Sequence, residues 1–170
     1  MQDIFKEQII RKKPSTLEIL GAIVLSFVYF VLAILIDALI TLTIGIQGAF
    51  VVLLAAAVYA TYLTIGRLKI EYEYSVTNDE LDIDMIVNRK SRKRVLSVRL
   101  KEVEVMAHQT KLDKITTVAK TKDFSSHRTN DTYTFVSKQN KGLYRIVFEP
   151  NADLLEAIGK KMSRSKLHIK

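Results

Sequence analysis

The hydrophobic positions of this chain change their spacing near Gly66. From Leu17 to Gly66 the sequence is almost continuously apolar and contains no Lys or Arg. Beyond Arg67 the apolar residues alternate with polar ones. A long continuous apolar run is typical of membrane-spanning helices, and a two-residue alternation is typical of half-buried strands. The pattern therefore predicts a membrane-spanning hairpin followed by a β-rich domain.

The apolar segment has room for two spans. The first is predicted from Leu17 to about Ile40 and starts just after Ser15 and Thr16, which are common at helix N-termini. The second is predicted from about Gly48 to Ile65. Each is close to the ~20 residues that cross a hydrocarbon core of ~30 Å. The uncharged residues 41–47 form the turn between them.

Basic residues flank the hairpin on both sides. Arg11, Lys12 and Lys13 precede it, and Arg67 and Lys69 follow it. Because Lys and Arg next to spans stay on the cytoplasmic side, we expect a cell-membrane protein with both termini in the cytoplasm. The apolar run starts too late and is too long for a cleavable signal peptide, so we expect it to be retained as an anchor.

Asp37 is the one acidic residue of the apolar stretch beyond its first turn, where Glu18 lies. A carboxylate within a membrane is a functional hypothesis by default. Twenty residues at 1.5 Å each place Asp37 roughly 30 Å from Leu17, near the outer interface, where water, Thr41 or Gln47 solvates it. The second span carries no charged partner, so we expect no proton or ion pathway here.

After the hairpin the pattern predicts seven strands and one helix. The first strand, Ile70 to Thr77, is assigned because its apolar and polar residues alternate. A tight turn at Asn78 and Asp79 leads into the second. After Pro150, apolar residues recur at helical spacing and predict a closing helix. The other strands are predicted at Leu81–Met85, Val95–Leu100, Val103–Ala107, Ile115–Thr121, Thr132–Ser137 and Leu143–Glu149.

This order of elements resembles the pleckstrin-homology-like (PH-like) fold, in which two nearly orthogonal sheets form a partly open barrel and a C-terminal helix closes one end. Two spans followed by YEYSVTNDELDID, RKSRKRVLSV and FEPNADLLEAI are also similar to a family of small bacterial two-span membrane proteins with a domain of unknown function. The resemblance implies a helical hairpin plus an α+β domain with seven strands. It implies no reaction, ligand or functional residue.

These predictions divide the chain into four parts. Residues 1–16 form a cytoplasmic N-terminal segment, 17–66 the hairpin, 67–163 the PH-like domain and 164–170 a basic tail. The net charge of +8 arises entirely after Ile65, where 22 of the 26 Lys and Arg and 14 of the 18 Asp and Glu lie. A basic surface favours anionic lipid or nucleic acid as a partner.

The strongest candidate site is a run of five cations predicted at a hairpin turn: Arg89, Lys90, Arg92, Lys93 and Arg94. Residues 66–69 link the second span to the first strand and reach about 14 Å at most. If the first strand runs away from the membrane, the second strand returns and brings this turn back toward the lipid. We expect it to contact anionic headgroups or a protein partner. The alternative is a solvated tip that protects the sheet edge.

The same hairpin raises a question of charge. A two-residue turn at Asn78 and Asp79 sets Glu73 opposite Asp84, and like charges directly opposed are destabilising. A third strand bearing Arg92, Lys93 or Arg94 would relieve the repulsion, and so would a basic partner. We expect the compensation to come from within the chain.

The chain offers little catalytic chemistry. It has no cysteine, and His108, His127 and His168 lie far apart without metal-binding spacing. It has no GxSxG motif and no glycine-rich phosphate loop. Asp79, Glu80, Asp82 and Asp84 lack the glycine of a calcium-binding EF-hand loop, so they fit the wet face of a strand. We therefore expect no enzyme, no cofactor and no metal site.

The expected function is a membrane-anchored binding or scaffold module for a lipid or protein partner. The alternative is an accessory subunit of a larger membrane assembly. Nucleic acid is not expected as a partner, because the basic turn has no interleaved aromatic residues on which bases stack. The sequence leaves open whether an open edge of the barrel captures a peptide strand, as PH-like folds can.

Overall fold

The computed structural model describes residues 5–46, 48–112, 120–129, 131–139, 142–163 and 166–168. The chain forms two compact units. One unit, Pro14–Lys69, contains the helical hairpin. The other combines the segment before Pro14 with the chain from Ile70 onwards. The hairpin is therefore an insertion within the sequence of the β-rich unit.

The hairpin consists of α1 (Thr16–Ile44) and α2 (Ala49–Arg67). Helix α1 begins with a capping box in which Ser15 Oγ accepts from Glu18 N–H and the Glu18 carboxylate accepts from Ser15 N–H. It ends four residues later than predicted, and α2 continues through Gly66 to Arg67. Both helices are long and apolar enough to cross a membrane.

Small and polar side chains lie between the two helices. Ala22, Ala33 and Ala57 are buried, which is typical of closely packed membrane helices. Tyr29 Oη and Thr64 Oγ1 are 3.3 Å apart and share a hydrogen bond. One carboxylate oxygen of Asp37 is buried and has no hydrogen-bond partner in the described part of the chain, which leaves out residue 47.

The β-rich unit contains two sheets. The first has the order β1-β2-β3-β4 and is antiparallel throughout. Its strands are Phe5–Arg11 (β1), Ile70–Thr77 (β2), Glu80–Val87 (β3) and Ser91–Arg99 (β4). The second has the order β6-β8-β7-β5-β9. Its strands are Val103–His108 (β5), Lys120–Asp123 (β6), Tyr133–Gln139 (β7), Gly142–Phe148 (β8) and Leu167–His168 (β9).

Three short helical segments complete this unit. A 3₁₀ turn at Leu100–Glu102 leads from β4 into β5, and α3 (Gln109–Leu112) follows β5. The closing helix α4 (Ala152–Lys161) begins at Asn151, whose side chain accepts from Leu154 N–H. It buries Leu154, Ala157 and Ile158 against the core.

The core between the sheets is rich in aromatic residues. Tyr74, Phe135 and Phe148 are fully buried, and Phe148 contacts the other two rings edge-to-face at centroid distances of 5.7 and 5.3 Å. The Tyr74 hydroxyl donates to the Phe124 carbonyl at 2.6 Å. Burial raises the pKa of Tyr74 above its ordinary value. This phenol is therefore a neutral donor in the core.

Strand β1 was not predicted from the sequence. It pairs antiparallel with β2, with Phe5 opposite Thr77 and Arg11 opposite Glu71. Beyond the ladder, Lys12 N–H donates to the Ile70 carbonyl at 2.9 Å. The segment before the hairpin is thus the edge strand of the first sheet and not a separate flank.

The predicted order of strands and closing helix is confirmed, and it fits an α+β PH-like fold. The predicted partly open barrel is not confirmed. Over the described residues the strands form two separate sheets, with no closed barrel. The count of seven strands was also wrong, because β1 is added before the hairpin and β9 arises in the predicted tail. The predicted strand Ile115–Thr121 overlaps β6 only at its end, and residues 113–119 lie outside the described part.

Gln8 ties β1 to the start of α4. Its side-chain amide donates to the Glu149 carbonyl at 2.9 Å and accepts from Asn151 N–H at 2.7 Å. Between these two groups lies Pro150, which has no N–H. One side chain therefore satisfies the backbone on both sides of the proline, more than 140 residues away along the chain.

We predict that Gln8→Ala lowers the free energy of unfolding of the β-rich unit by about 1–3 kcal/mol, because it leaves two backbone groups unpaired. The measurement is urea denaturation of the full chain in detergent, followed by the near-ultraviolet signal of the tyrosines. Glu7→Ala, at the exposed neighbouring position, is the control and should unfold like the parent. Equal stability of the two variants would contradict the bridging role of Gln8.

Candidate functional site

The five predicted contact residues lie in the turn between β3 and β4 and at the start of β4: Arg89, Lys90, Arg92, Lys93 and Arg94. We call them the basic turn. Asn88 and Arg89 both have positive φ, 52° and 54°, and Lys90 N–H donates to the Val87 carbonyl at 3.1 Å. This is a type I′ turn, whose second central position usually holds glycine. An arginine thus occupies a position that the backbone makes unfavourable for any residue with a Cβ.

The basic turn lies at the end of the first sheet from which the chain passes into the hairpin. Ile70 is opposite Val87, the last residue of β3. Arg11 and Arg89 both bind the carboxylate of Glu71, with Nε to Oε1 distances of 2.9 and 3.4 Å. We call this end of the sheet the junction end. The predicted return of the second strand toward the start of the first is confirmed.

Arg92 bridges the two acidic residues that face each other across β2 and β3. Glu73 lies opposite Asp84, as predicted, and the two residues are only 8% and 7% exposed. Arg92 Nε donates to Asp84 Oδ2 at 2.8 Å, and its second guanidinium nitrogen pairs with Glu73. The hydrogen bond to Asp84 is the main cause that raises the pKa of Arg92. The predicted compensation from within the chain is confirmed.

Arg94 extends the same network toward the middle of the sheet. It is opposite Asp84 in the ladder, and its Nε lies 3.3 Å from Asp84 Oδ1. Its terminal nitrogen lies 3.1 Å from Asp82 Oδ2. The acidic face of β3 is therefore covered by arginine side chains and is not the open wet face that the sequence suggested.

Lys90 and Lys93 differ from the three arginines of the basic turn. Both are exposed, and neither side chain has an ion-pair partner within the described residues. The arginines hold the acidic face of their own sheet. The two lysines are thus the cations of the turn that have no ion pair within the described residues, whereas Arg89 is paired with Glu71 but exposed.

His108 and His127 each lie near a single carboxylate. His108 Nε2 lies 3.4 Å from Asp131 Oδ1, and His127 Nδ1 lies 3.7 Å from Asp123 Oδ2. His168 lies in β9. Across the described ranges, no three His, Asp or Glu side chains are grouped in a way that could hold a metal ion.

Sequence reasoning missed Arg11 as a member of this charge network. It counted Arg11 only among the cations that set membrane orientation, because nothing local indicates that FKEQIIR pairs with a strand beyond the hairpin. The segment also lacks a clean two-residue alternation, because Ile9 and Ile10 are adjacent. Its pairing partner lies about 60 residues away.

Comparison with known proteins identifies a family for this chain. A family model described as a bacterial PH-like domain (DUF6106) matches residues 2–168. The match includes β1, both apolar helices and the second sheet, so the inserted hairpin is part of what the family model covers. No curated protein and no solved structure matches the chain.

We predict that Arg92→Met destabilises the β-rich unit by about 1–3 kcal/mol, because Glu73 and Asp84 then face each other without their shared cation. Methionine keeps most of the apolar stem of the arginine, so the loss of stability is due mainly to the removed charge. The measurement is urea denaturation of the full chain in detergent at neutral pH.

Two further variants identify the cause. Lys93→Met, one residue along the same strand, removes a cation without an ion pair and should leave stability unchanged. Adding Glu73→Gln to Arg92→Met should recover part of the loss, since it removes one of the opposed charges. No recovery in the double variant would rule out electrostatic compensation as the role of Arg92.

Proposed function

The chain belongs to the bacterial PH-like domain family (DUF6106), and we propose that it is a membrane-anchored binding module and not an enzyme. In this proposal the hairpin spans the cell membrane and both termini are cytoplasmic. The junction end of the first sheet meets the anionic headgroups. The rest of the domain presents its surface to a protein partner in the cytoplasm.

Anchoring by the hairpin is supported by its composition and its burial. Both helices pass the length and hydropathy requirements of a span. Few of their side chains are buried, and large apolar residues such as Leu17 and Leu42 are more than three-quarters exposed. Helices of the core of a soluble domain bury most of such residues, whereas membrane helices present them to lipid.

The observation that carries the proposal is the insertion of the hairpin between two paired strands. The chain leaves the sheet after Arg11 and returns at Ile70, and the Lys12 to Ile70 hydrogen bond keeps these points together. Two covalent connections at one end of a sheet restrain a domain more than a single tether does. A bilayer around the hairpin would then lie nearest to the junction end.

Charge at the junction end supports a contact with anionic lipid. Lys90 and Lys93 are exposed there, and Arg89 is two-thirds exposed although it binds Glu71. Each Lys or Arg near an anionic leaflet contributes about 1 kcal/mol. The lysines and Arg89 would therefore orient the domain without a specific headgroup pocket.

A non-catalytic role is supported by the chemistry of the described residues. They contain no metal-binding group of His, Asp and Glu. The strongest charge cluster joins arginine to carboxylate in ion pairs, an arrangement that holds a sheet and leaves no free base or nucleophile. PH-like domains are typically binding modules, so the family assignment points the same way.

The proposed topology predicts which positions are reached from outside the cell. The natural chain has no cysteine, so single substitutions give clean labels. We expect Ile46→Cys, in the turn between the helices, to react with a membrane-impermeant maleimide in intact cells. Ser91→Cys should react only after permeabilisation. Reaction of Ser91→Cys in intact cells would reverse the proposed orientation.

The proposed lipid contact predicts a depth-dependent signal at the junction end. A fluorophore on Ser91→Cys in the full chain should be quenched by headgroup-labelled lipid in anionic nanodiscs. The same fluorophore on Thr77→Cys, at the opposite end of β2, should not be quenched. The full chain is required because a fragment that starts at Lys69 lacks β1.

Two variants separate lipid contact from folding. Lys90→Gln with Lys93→Gln should reduce the Ser91 quenching in anionic nanodiscs. Arg89→Gly should also reduce the Ser91 quenching. It should not lower stability, because glycine suits the positive φ of this turn position. Equal quenching at Ser91 and Thr77, or none at either, would refute the lipid contact.

A further inference from the structure

A groove of about 510 Å³ lies between β4 and the second sheet. Residues 94–98 of β4 form one wall. The other wall includes Lys122 of β6, Ser137 and Lys138 of β7, and Tyr144 of β8. We call this space the inter-sheet groove. Its volume lies within the ~300–1,000 Å³ that is common for ligand sites.

One wall of the inter-sheet groove is a free strand edge. β4 is the last strand of the first sheet and pairs only with β3 within the described residues. The β3–β4 ladder is irregular near Val95, but it is regular from Leu96 opposite Ile83 to Arg99 opposite Glu80. The outer edge of this regular part has backbone groups that no described strand pairs. Such an edge is a template for an added strand.

The floor of the groove contains a buried hydroxyl without a partner. Ser137 is 0% exposed, and its Oγ has no hydrogen-bond partner in the described part of the chain. Ser137 shares the inner face of the second sheet with Phe135, because residues two apart on a strand point the same way. It is opposite Tyr144 in the β7–β8 ladder. Buried polar groups are usually hydrogen-bonded, so this hydroxyl, which has no partner among the described residues, is a candidate contact for a bound segment.

The far wall of the groove is basic. Lys138 is exposed and has no ion-pair partner among the described residues. Lys122 lies with its Nζ 4.6 Å from the centre of the Tyr144 ring. The one acidic residue of the lining is Glu102, which is about 4.0 Å from Arg99. The groove therefore favours an anionic occupant.

We propose that the inter-sheet groove binds an extended, acidic segment of a protein partner, which adds to the edge of β4 from Leu96 to Arg99. Main-chain hydrogen bonds to β4 hold the segment, and its acidic side chains reach Lys122 and Lys138. Alternate side chains of an added strand face opposite ways, so one set points toward the Ser137 floor. This inference rests on the proposal that the domain is a binding module, and it names the partner's chemistry.

Two other occupants fit the groove less well. A second copy of β4 that pairs antiparallel would set the cationic start of one strand near Arg99 at the end of the other, and like charges directly opposed are destabilising. Lipid headgroups meet the junction end, whereas Leu96–Arg99 pairs with Glu80–Ile83 in the half of the sheet farther from that end. The groove is thus placed for a partner that approaches from water.

The test uses the full chain in uncharged detergent and a fluorescein-labelled pool of hexapeptides in which Glu alternates with Val, Ile or Thr. We expect this pool to raise the fluorescence anisotropy in a saturable way. A matched pool with Lys in place of Glu should not. No saturable binding of the acidic pool, or equal binding of both pools, overturns the proposal.

Backbone methylation tests the strand pairing. In an added strand, every second N–H points to β4. Two further acidic pools carry N-methyl groups either on the Glu residues or on the β-branched residues. The pool whose methyl groups replace the N–H groups that point to β4 should lose at least fivefold in affinity. The other pool should bind as tightly as the parent pool. Binding of both methylated pools as tightly as the parent pool shows attraction by charge alone and overturns strand addition.

Substitutions locate the binding. Lys138→Glu and Lys122→Glu should weaken binding of the acidic pool at least fivefold, and Ser137→Ala should weaken it severalfold. Thr134→Val is the matched control: Thr134 is the other buried, unpartnered hydroxyl of β7 among the described residues, but it is not part of the groove lining. Unchanged binding in the lysine variants overturns the proposed groove. Quenching at Ser91 reports separately on the membrane contact, so either proposal can fail alone.

Discussion

The pairing of β1 with β2 across the inserted hairpin is the constraint on which the rest of the structure depends. It brings Arg11 opposite Glu71 and places Lys12 within hydrogen-bond distance of Ile70, although the whole hairpin lies between them in sequence. The first sheet then has β1 as one edge strand and β4 as the other, and β2 is paired on both sides. The same pairing carries Gln8 to the start of the closing helix. Hairpin, sheet and helix α4 are thus joined through one seven-residue strand.

The charges of the first sheet follow from this arrangement. Opposed acids on β2 and β3 cost free energy unless a cation lies between them, and β4 supplies Arg92 and Arg94 in the register that this requires. Exposed ion pairs each contribute little, but here the carboxylates are buried under the arginine side chains. The cations of the basic turn therefore divide into arginines that stabilise the sheet and lysines that face solvent. A plain count of basic residues overstates the charge that is free to meet a partner.

The sequence predicted what local rules determine. Alternation and a two-residue turn fix the register of β2 against β3, so the opposition of Glu73 and Asp84 and its relief by a third strand followed directly. Strand β1 could not be predicted in this way, because its partner is remote and its cations also fit a membrane flank. The inter-sheet groove depends on how two sheets separate and on the irregularity near Val95. The spacing of apolar residues indicates neither the separation of the sheets nor this irregularity.

The position of β1 in the sequence also sets the order of events during synthesis and folding of the chain. Synthesis proceeds from the N-terminus, so β1 leaves the ribosome first, yet its partner β2 follows only after both apolar helices. During that interval β1 has unpaired backbone groups. β1 can pair with β2 only after the hairpin has folded back and returned the chain to β1. If the hairpin spans the membrane as proposed, a chain in which it does not insert with both ends on one side keeps β1 and β2 apart. Membrane insertion would then be a precondition for folding of the domain.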